Sequence, residues 1–241
     1  LVNYFIKGNI ALTKVDEDYP DNKLSGAVFE VYSDTNGDGK LDKDDTLLGE
    51  MKELDGGVYQ MSELRYGKYL VKETKAPTGF VLDENVYSVS VEENGKTYTV
   101  ENKAGVGFIN AAQKGSLKIV KTSSDGKVEG FSFRVTGVDY DQTFKTDKNG
   151  EIVIEGLRIG DYTVSEVSDK ASAGYILPAD KQATVKVDAT AIVQMHNEFR
   201  DTPKTGDDFN LGLWVSLAAL SVVGAGVLGF VGYKNRKKKK E

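Results

Sequence analysis

Gly67-Lys68-Tyr69-Leu70-Val71-Lys72-Glu73 and Gly160-Asp161-Tyr162-Thr163-Val164-Ser165-Glu166 are two versions of one stretch, each preceded by a Leu-Arg pair, Leu64-Arg65 and Leu157-Arg158. Further out, Gly79-Phe80-Val81-Leu82 matches Gly174-Tyr175-Ile176-Leu177, and Gly8-Asn9-Ile10-Ala11-Leu12-Thr13-Lys14 matches Gly115-Ser116-Leu117-Lys118-Ile119-Val120-Lys121. Self-similarity of this kind marks two copies of one folding unit. The runs are short, alternate with period two, carry many Val, Tyr and Thr residues, and are broken by 26 glycines, which predicts an all-β chain. Repeat 1 is expected over residues 9–112 and repeat 2 over 113–199, each opening and closing with a strand. Asn3 precedes Lys14 by the same eleven positions that separate Asn110 from Lys121, with Lys7-Gly8 and Lys114-Gly115 in between. Residues 1–8 are therefore expected to be the end of a truncated preceding repeat. The sequence has no initiator Met and no signal peptide, so the chain is read as the end of a longer protein.

Alternation also predicts which side chains point inward. Ile10, Leu12 and Lys14 share a face, as do Leu117, Ile119 and Lys121. Tyr69, Val71 and Glu73 share a face, as do Tyr162, Val164 and Glu166. In the last strands Phe108 goes with Asn110, and Val193 and Met195 with Asn197. Each repeat thus aims a lysine, a glutamate and an asparagine at its core. Isolated buried charges cost several kcal/mol, so they must be paired, neutralised or removed by chemistry. Burial lowers a lysine's pKa and raises a glutamate's, and a neutral amine is a nucleophile. Attack on the Asn carboxamide, with the acid shuttling protons, would release ammonia and leave a Lys-Asn isopeptide bond. The expected triads are Lys14, Glu73, Asn110 and Lys121, Glu166, Asn197, with Glu73 and Glu166 as catalysts. Ordinary ion pairs at strand ends are the competing reading. Lys118 is a weaker candidate than Lys121 because it alternates outward, and Asn102 rivals Asn110 without the matching spacing.

Glu73-Thr74-Lys75-Ala76-Pro77-Thr78-Gly79-Phe80, with Leu24-Ser25-Gly26-Ala27-Val28-Phe29 upstream, is similar to the B-type repeats of collagen adhesins and the shaft domains of sortase-assembled, SpaA-type pilins. The resemblance implies two tandem prealbumin-like (Ig-like) β-sandwiches of about seven strands each, crosslinked between first and last strands. Repeat 2 departs from the pattern, with Val167 to Ala173 replacing a shorter stretch and no proline before Gly174.

Thr202-Pro203-Lys204-Thr205-Gly206 lies in a linker (200–210), which is followed by an uncharged apolar stretch, 211–233, and a basic tail, 234–241. The stretch has 23 residues, against ~20 for a membrane-spanning helix, and the tail's six basic residues would stay cytoplasmic. Trp214 would sit near the interface. This end resembles the cell-wall sorting signal of Gram-positive surface proteins, with Thr202 where that signal usually has Leu. The resemblance implies cleavage by a sortase after Thr205, covalent transfer of Thr205 to peptidoglycan, and an extracellular, wall-anchored location. A lipid-anchor signal would end apolar instead.

The chain carries no cysteine, so disulfides cannot staple it. Without the tail it has 25 basic and 36 acidic residues, a net charge of −11, which argues against nucleic acid as a partner.

Asp34-Thr35-Asn36-Gly37-Asp38-Gly39-Lys40-Leu41-Asp42-Lys43-Asp44-Asp45 fits a calcium-loop pattern. Oxygen side chains fall at positions 1, 3, 5, 9 and 12 (Asp34, Asn36, Asp38, Asp42, Asp45), Gly39 makes the turn, and Lys40 at position 7 would offer its backbone carbonyl. The expected arrangement is an inserted loop between strands, with a solvated turn as the competing reading. His196 is predicted to face outward. Tyr19-Pro20-Asp21-Asn22 is read as the loop after the first strand, since Asp21 stands where a pilin's joining lysine would be.

The function expected from all this is a wall-anchored surface stalk or pilin-like structural protein that bears tension and projects an adhesive region. It would not be an enzyme on external substrates. The alternatives are a polymerising pilus subunit, whose partners would be other pilin subunits, and a module that itself grips host extracellular matrix or glycan.

Overall fold

The computed structural model describes residues 4–200, and every described element is a strand or a turn. Asn3, the Thr202–Gly206 motif, the apolar stretch 211–233 and the basic tail 234–241 lie outside the described residues.

Repeat 1 contains nine strands: β1 (Lys7–Asp16), β2 (Val28–Ser33), β3 (Thr46–Glu50), β4 (Lys52–Asp55), β5 (Val58–Arg65), β6 (Gly67–Lys75), β7 (Val86–Val91), β8 (Thr97–Thr99) and β9 (Phe108–Asn110). Repeat 2 contains eight: β10 (Lys114–Ser123), β11 (Ser132–Gly137), β12 (Tyr140–Lys145), β13 (Glu151–Arg158), β14 (Gly160–Val167), β15 (Tyr175–Ile176), β16 (Lys181–Val185) and β17 (Thr190–Phe199). These counts exceed the implied seven or so, and several of the strands are short pieces, with three residues in β8 and β9 and two in β15.

Each repeat has two sheets. In repeat 1 the order β4-β5-β1-β8, with β9 also on β1, faces β3-β2-β6-β7; in repeat 2, β13-β10-β17-β15 faces β12-β11-β14-β16. The first and last strands are neighbours and run parallel. β1 meets β9 with Lys14 opposite Phe108 and Asp16 opposite Asn110, and β10 meets β17 from Ser116 opposite Thr190 to Ser123 opposite Asn197. Parallel neighbours require a long crossover, and here the whole of each repeat supplies it.

The alternation forecast from sequence is the one that packs. Ile10, Leu12, Phe29, Val31, Tyr59, Val71 and Phe108 lie in one buried cluster, and Leu117, Ile119, Phe133, Val135, Tyr162, Val164 and Met195 in a second. The duplicated tyrosines act alike. Tyr69 donates its hydroxyl proton to Arg65 O at 2.7 Å, and Tyr162 to Arg158 O at 2.8 Å. Both opening strands also shift register at the same place, between Gly8 and Ile10 and between Gly115 and Leu117. A Cβ on Gly115 would lie 2.1 Å from Lys186 O, so only glycine lets that backbone pass.

Sequence reading did not anticipate the joint between the repeats. Arg158 donates to both carboxylate oxygens of Asp16, at 2.7 and 2.8 Å, and to Asp18 at 3.0 Å, and its guanidinium lies 4.9 Å from the Tyr19 ring centre. Lys114 adds a second contact to Asp18 at 3.1 Å. A planar fork bound to both oxygens of one carboxylate fixes orientation as well as distance.

Candidate crosslinking sites

In repeat 1, β1 carries Lys14, β6 carries Glu73 and β9 carries Asn110, and all three side chains are buried. Asn110 Nδ2 donates to both oxygens of Glu73, at 3.0 and 2.9 Å. Lys14 Nζ lies 3.9 Å from Glu73 Oε1 and donates to Phe108 O at 3.1 Å. Phe29, Tyr87 and Phe108 pack edge to face beside them, with the Lys14 amine 5.2 Å from the Phe108 ring centre. In this apolar shell burial pushes the lysine pKa down to about 8, against the opposing pull of Glu73. Burial likewise raises the Glu73 carboxyl above its ordinary range, opposed by hydrogen bonds from Asp83 N and Asn110.

Repeat 2 repeats the arrangement with looser contacts. Asn197 Nδ2 donates to Glu166 Oε1 at 2.6 Å, and Lys121 donates to Thr122 O while standing 4.2 Å from the Phe131 ring centre. Lys121 and Asn197 are buried, whereas Glu166 is partly open. Burial again lowers the lysine and raises the glutamate.

Among the described residues, three buried side-chain polar atoms have no hydrogen-bond partner: Asn110 Oδ1, Asn197 Oδ1 and Glu166 Oε2. All three belong to these two clusters. Buried carbonyls are ordinarily satisfied, so an orphan at the same position in each repeat sets these two clusters apart from the other described residues.

The arrangement suits acyl transfer. An amine whose charged form burial disfavours and a carboxamide are gathered by one carboxyl group, which already holds the carboxamide nitrogen. Sequence reading missed the support around Glu73. Asp83 N donates to Glu73 Oε2 at 2.8 Å, the Asp83 carboxylate accepts from Tyr87 and Asn102, and Asn102 in turn bonds the backbone of Ile109.

The remaining predicted residues fall as follows. Lys118 faces outward and pairs with Glu151 at 2.7 Å. Asn102 sits beside the site without touching Glu73. His196 is exposed, bridging Thr122 Oγ1 and Glu198. The Asp34–Asp45 loop lies between β2 and β3, as expected. There Asp34 accepts from Gly37 N and Gly39 N, Asp45 accepts from Thr35 N and Asp42 N, and Asn36 donates to Asp42. Gly39 turns the loop at φ 78°. No three His, Cys, Asp or Glu side chains among the described residues are gathered as a metal set.

The sequence matches the SpaA prealbumin-like fold domain twice, over residues 8–104 and 115–199. The chain belongs to this family. The two SpaA-type matches fall on the two sandwiches, and the chain is a pilin-like repeat protein of Gram-positive type. A solved structure of the Bacillus anthracis TIE protein is similar, at 25% identity and a TM-score of 0.60, over 81% of this chain and 34% of that one. The chain thus spans about a third of the length of that relative. GBS52, the minor pilin of Streptococcus agalactiae, aligns at 17% identity and a TM-score of 0.37 over 82% of this chain and 98% of that one. The shaft pilin SpaA of Lactobacillus rhamnosus GG aligns at 14% and 0.35 over 80% and 98%. No curated protein matches the chain.

Proposed function

We propose that this chain is a surface stalk of SpaA-type repeats, each locked by an intramolecular isopeptide bond, Lys14 to Asn110 and Lys121 to Asn197. Glu73 and Glu166 serve as the acid-base groups. The observation that carries the reading is the orphaned Asn carbonyl, buried beside an amine and a carboxyl, in both repeats. The neutral amine attacks Cγ of the asparagine, and the Nζ–Cγ bond forms as the Cγ–Nδ2 bond breaks. The glutamate takes the proton released by the amine and passes one to the departing nitrogen, so ammonia leaves and the glutamate is regenerated. Each repeat reacts once, on itself.

The parallel pairing of first and last strands gives the bond a mechanical role. Tension entering β1 would cross from Lys14 to Asn110 and pass through residues 111–113 into β10, leaving residues 15–109 unloaded. In repeat 2 it would cross from Lys121 to Asn197. Without the bonds the same pull would shear the short β1–β9 ladder.

The sorting-signal resemblance supports the anchoring half of the proposal, in which a sortase cuts after Thr205 and joins it to peptidoglycan. For the acidic loop we propose calcium on the spacing of Asp34, Asn36, Asp38, Lys40, Asp42 and Asp45. The loop's carboxylates are engaged with loop groups in this conformation, and an ion would have to draw them off those partners.

Protease digestion and tandem mass spectrometry of residues 1–200 test the crosslinks. A branched peptide joining Lys14 to Asn110, short by one ammonia, is the expected product. Recovery of both residues only in separate linear peptides would overturn the proposal.

A further inference from the structure

Strand β9, which presents Asn110, has three residues, whereas its counterpart β17 has ten. β17 is flanked along its length by β10 and on its far side by β15. β9 has β1 on one side, but among the described residues its far side has no strand beside Ile109. The segment equivalent to β15 touches the chain only further on, through the Phe80–Ala112 bridge and the Val81 N to Ala111 O bond.

At Ile109 a side chain takes the place of the missing strand. Asn102 Oδ1 accepts from Ile109 N at 2.7 Å, and Asn102 Nδ2 donates to Ile109 O at 2.8 Å. A carboxamide has one acceptor and one donor edge, the same pattern that a paired backbone offers. The Asn102 amide is itself aimed by Asp83 Oδ2, at 2.8 Å, and the backbone N–H of Asp83 holds Glu73 at 2.8 Å. One residue thus ties the acid to the clamp, and the clamp grips the residue next to the reacting asparagine. Beside them lies a surface pocket of about 330 Å³, lined by Asp83, Tyr87, Asn102, Ile109 and Asn110 among others.

We infer that Asn102 and Asp83 are positioning residues for the repeat 1 crosslink, holding the Asn110 carboxamide against Glu73 and in reach of Lys14. The inference rests on the isopeptide reading above. Reacting groups must be aligned to within a fraction of an ångström, and a misplacement of about 1 Å costs on the order of 10²-fold in rate. Repeat 2, whose β17 is held by strands on both sides, should not need such a clamp.

The test follows ammonia loss with time after a pulse of cell-free synthesis of residues 1–200, with each bond located by tandem mass spectrometry. Asn102→Ala is expected to slow closure of repeat 1 on the order of 10²-fold and to leave repeat 2 at the wild-type rate. Closure of both repeats at wild-type rates would overturn the inference. If Asn102→Ala does not fold, the comparison is Asn102→Asp, which keeps an acceptor for Ile109 N but removes the donor to Ile109 O, against wild type. Slower repeat 1 closure in Asn102→Asp, with repeat 2 unchanged, supports the clamp, and equal rates overturn it. A wild-type chain that loses no ammonia from repeat 1 would instead remove the isopeptide reading itself, an outcome visible before any variant is made.

Discussion

Lys14 Nζ and Glu73 Oε1 lie 3.9 Å apart in the core of repeat 1, both fully shielded from water, yet they do not form a close ion pair. The lysine donates to Phe108 O and the glutamate's two oxygens are taken by Asn110. A buried pair kept only for stability would close that gap, because its mutual attraction must offset the desolvation of both charges.

The rate of repeat 1 closure should be bell-shaped in pH. The reactive pair is a neutral amine with a protonated acid. Below the raised pKa of Glu73 the amine is protonated and the rate should fall with falling pH. Above about 8, the lysine's lowered value, the acid has lost its proton and the rate should fall again. Ammonia loss timed at a series of pH values reads this directly. A rate still climbing toward pH 10.5, the ordinary lysine value, would show that no protonated acid is required.

Glu73→Gln keeps the shape of the site and removes the proton shuttle. It should leave repeat 1 uncrosslinked, and with it lose the restraint on a loop of about 100 residues, worth about 4–5 kcal/mol on a loop-entropy basis. Chemical denaturation should show repeat 1 weakened by that order and repeat 2 unchanged, since the two cores are separate clusters. Equal denaturation midpoints for wild type and variant would contradict a closed loop.

Arg158→Ala should free the joint between the repeats. Burial pushes the Asp16 carboxyl up, but hydrogen bonds led by Arg158 outweigh it and hold the group below its ordinary 3.8. A depressed carboxyl stabilises above its unfolded pKa and loses that contribution as pH falls through the folded value. Removing the arginine should therefore cost about 3 kcal/mol of coupling at neutral pH, since Asp16 stays buried without its partner, and nothing once Asp16 is protonated in strong acid. Small-angle scattering and interdomain NMR couplings are expected to show the repeats reorienting independently in the variant at neutral pH. Unchanged couplings would mean that the joint is held elsewhere.

Calorimetric titration of calcium into residues 1–200 should give a single binding event that Asp34→Ala abolishes. Heat of the same size in Asp34→Ala would place the ion elsewhere, and no heat in either would make the loop a plain turn.

Much of this was legible because period-two alternation is a local property. Lys14, Glu73 and Asn110 each sit two residues from an apolar neighbour on the same face, so their inward aim could be read before any strand pairing was known. The link between first and last strands came only from the implied fold, and the parallel pairing of β1 with β9 came from neither the sequence nor the resemblance. The Asn102 clamp was not legible, because it replaces a strand that the sequence does not announce as missing; spacing set Asn102 aside as a crosslink candidate, and only three-dimensional neighbours assign it to Ile109. Arg158 was visible as part of the repeated Leu-Arg pair, but Asp16, its partner, lies 142 positions away in the other repeat. The partial opening of Glu166 was not legible either, because alternation gives the direction of a side chain and not how well it is covered.

The most direct measurement is the intact mass of residues 1–200 beside Glu73→Ala and Glu166→Ala. The wild-type chain should be lighter than its sequence by two ammonias, with each variant, corrected for the substitution, regaining one. A wild-type mass equal to the full sequence mass would contradict the crosslinks and leave the two inward triads as unreacted polar clusters.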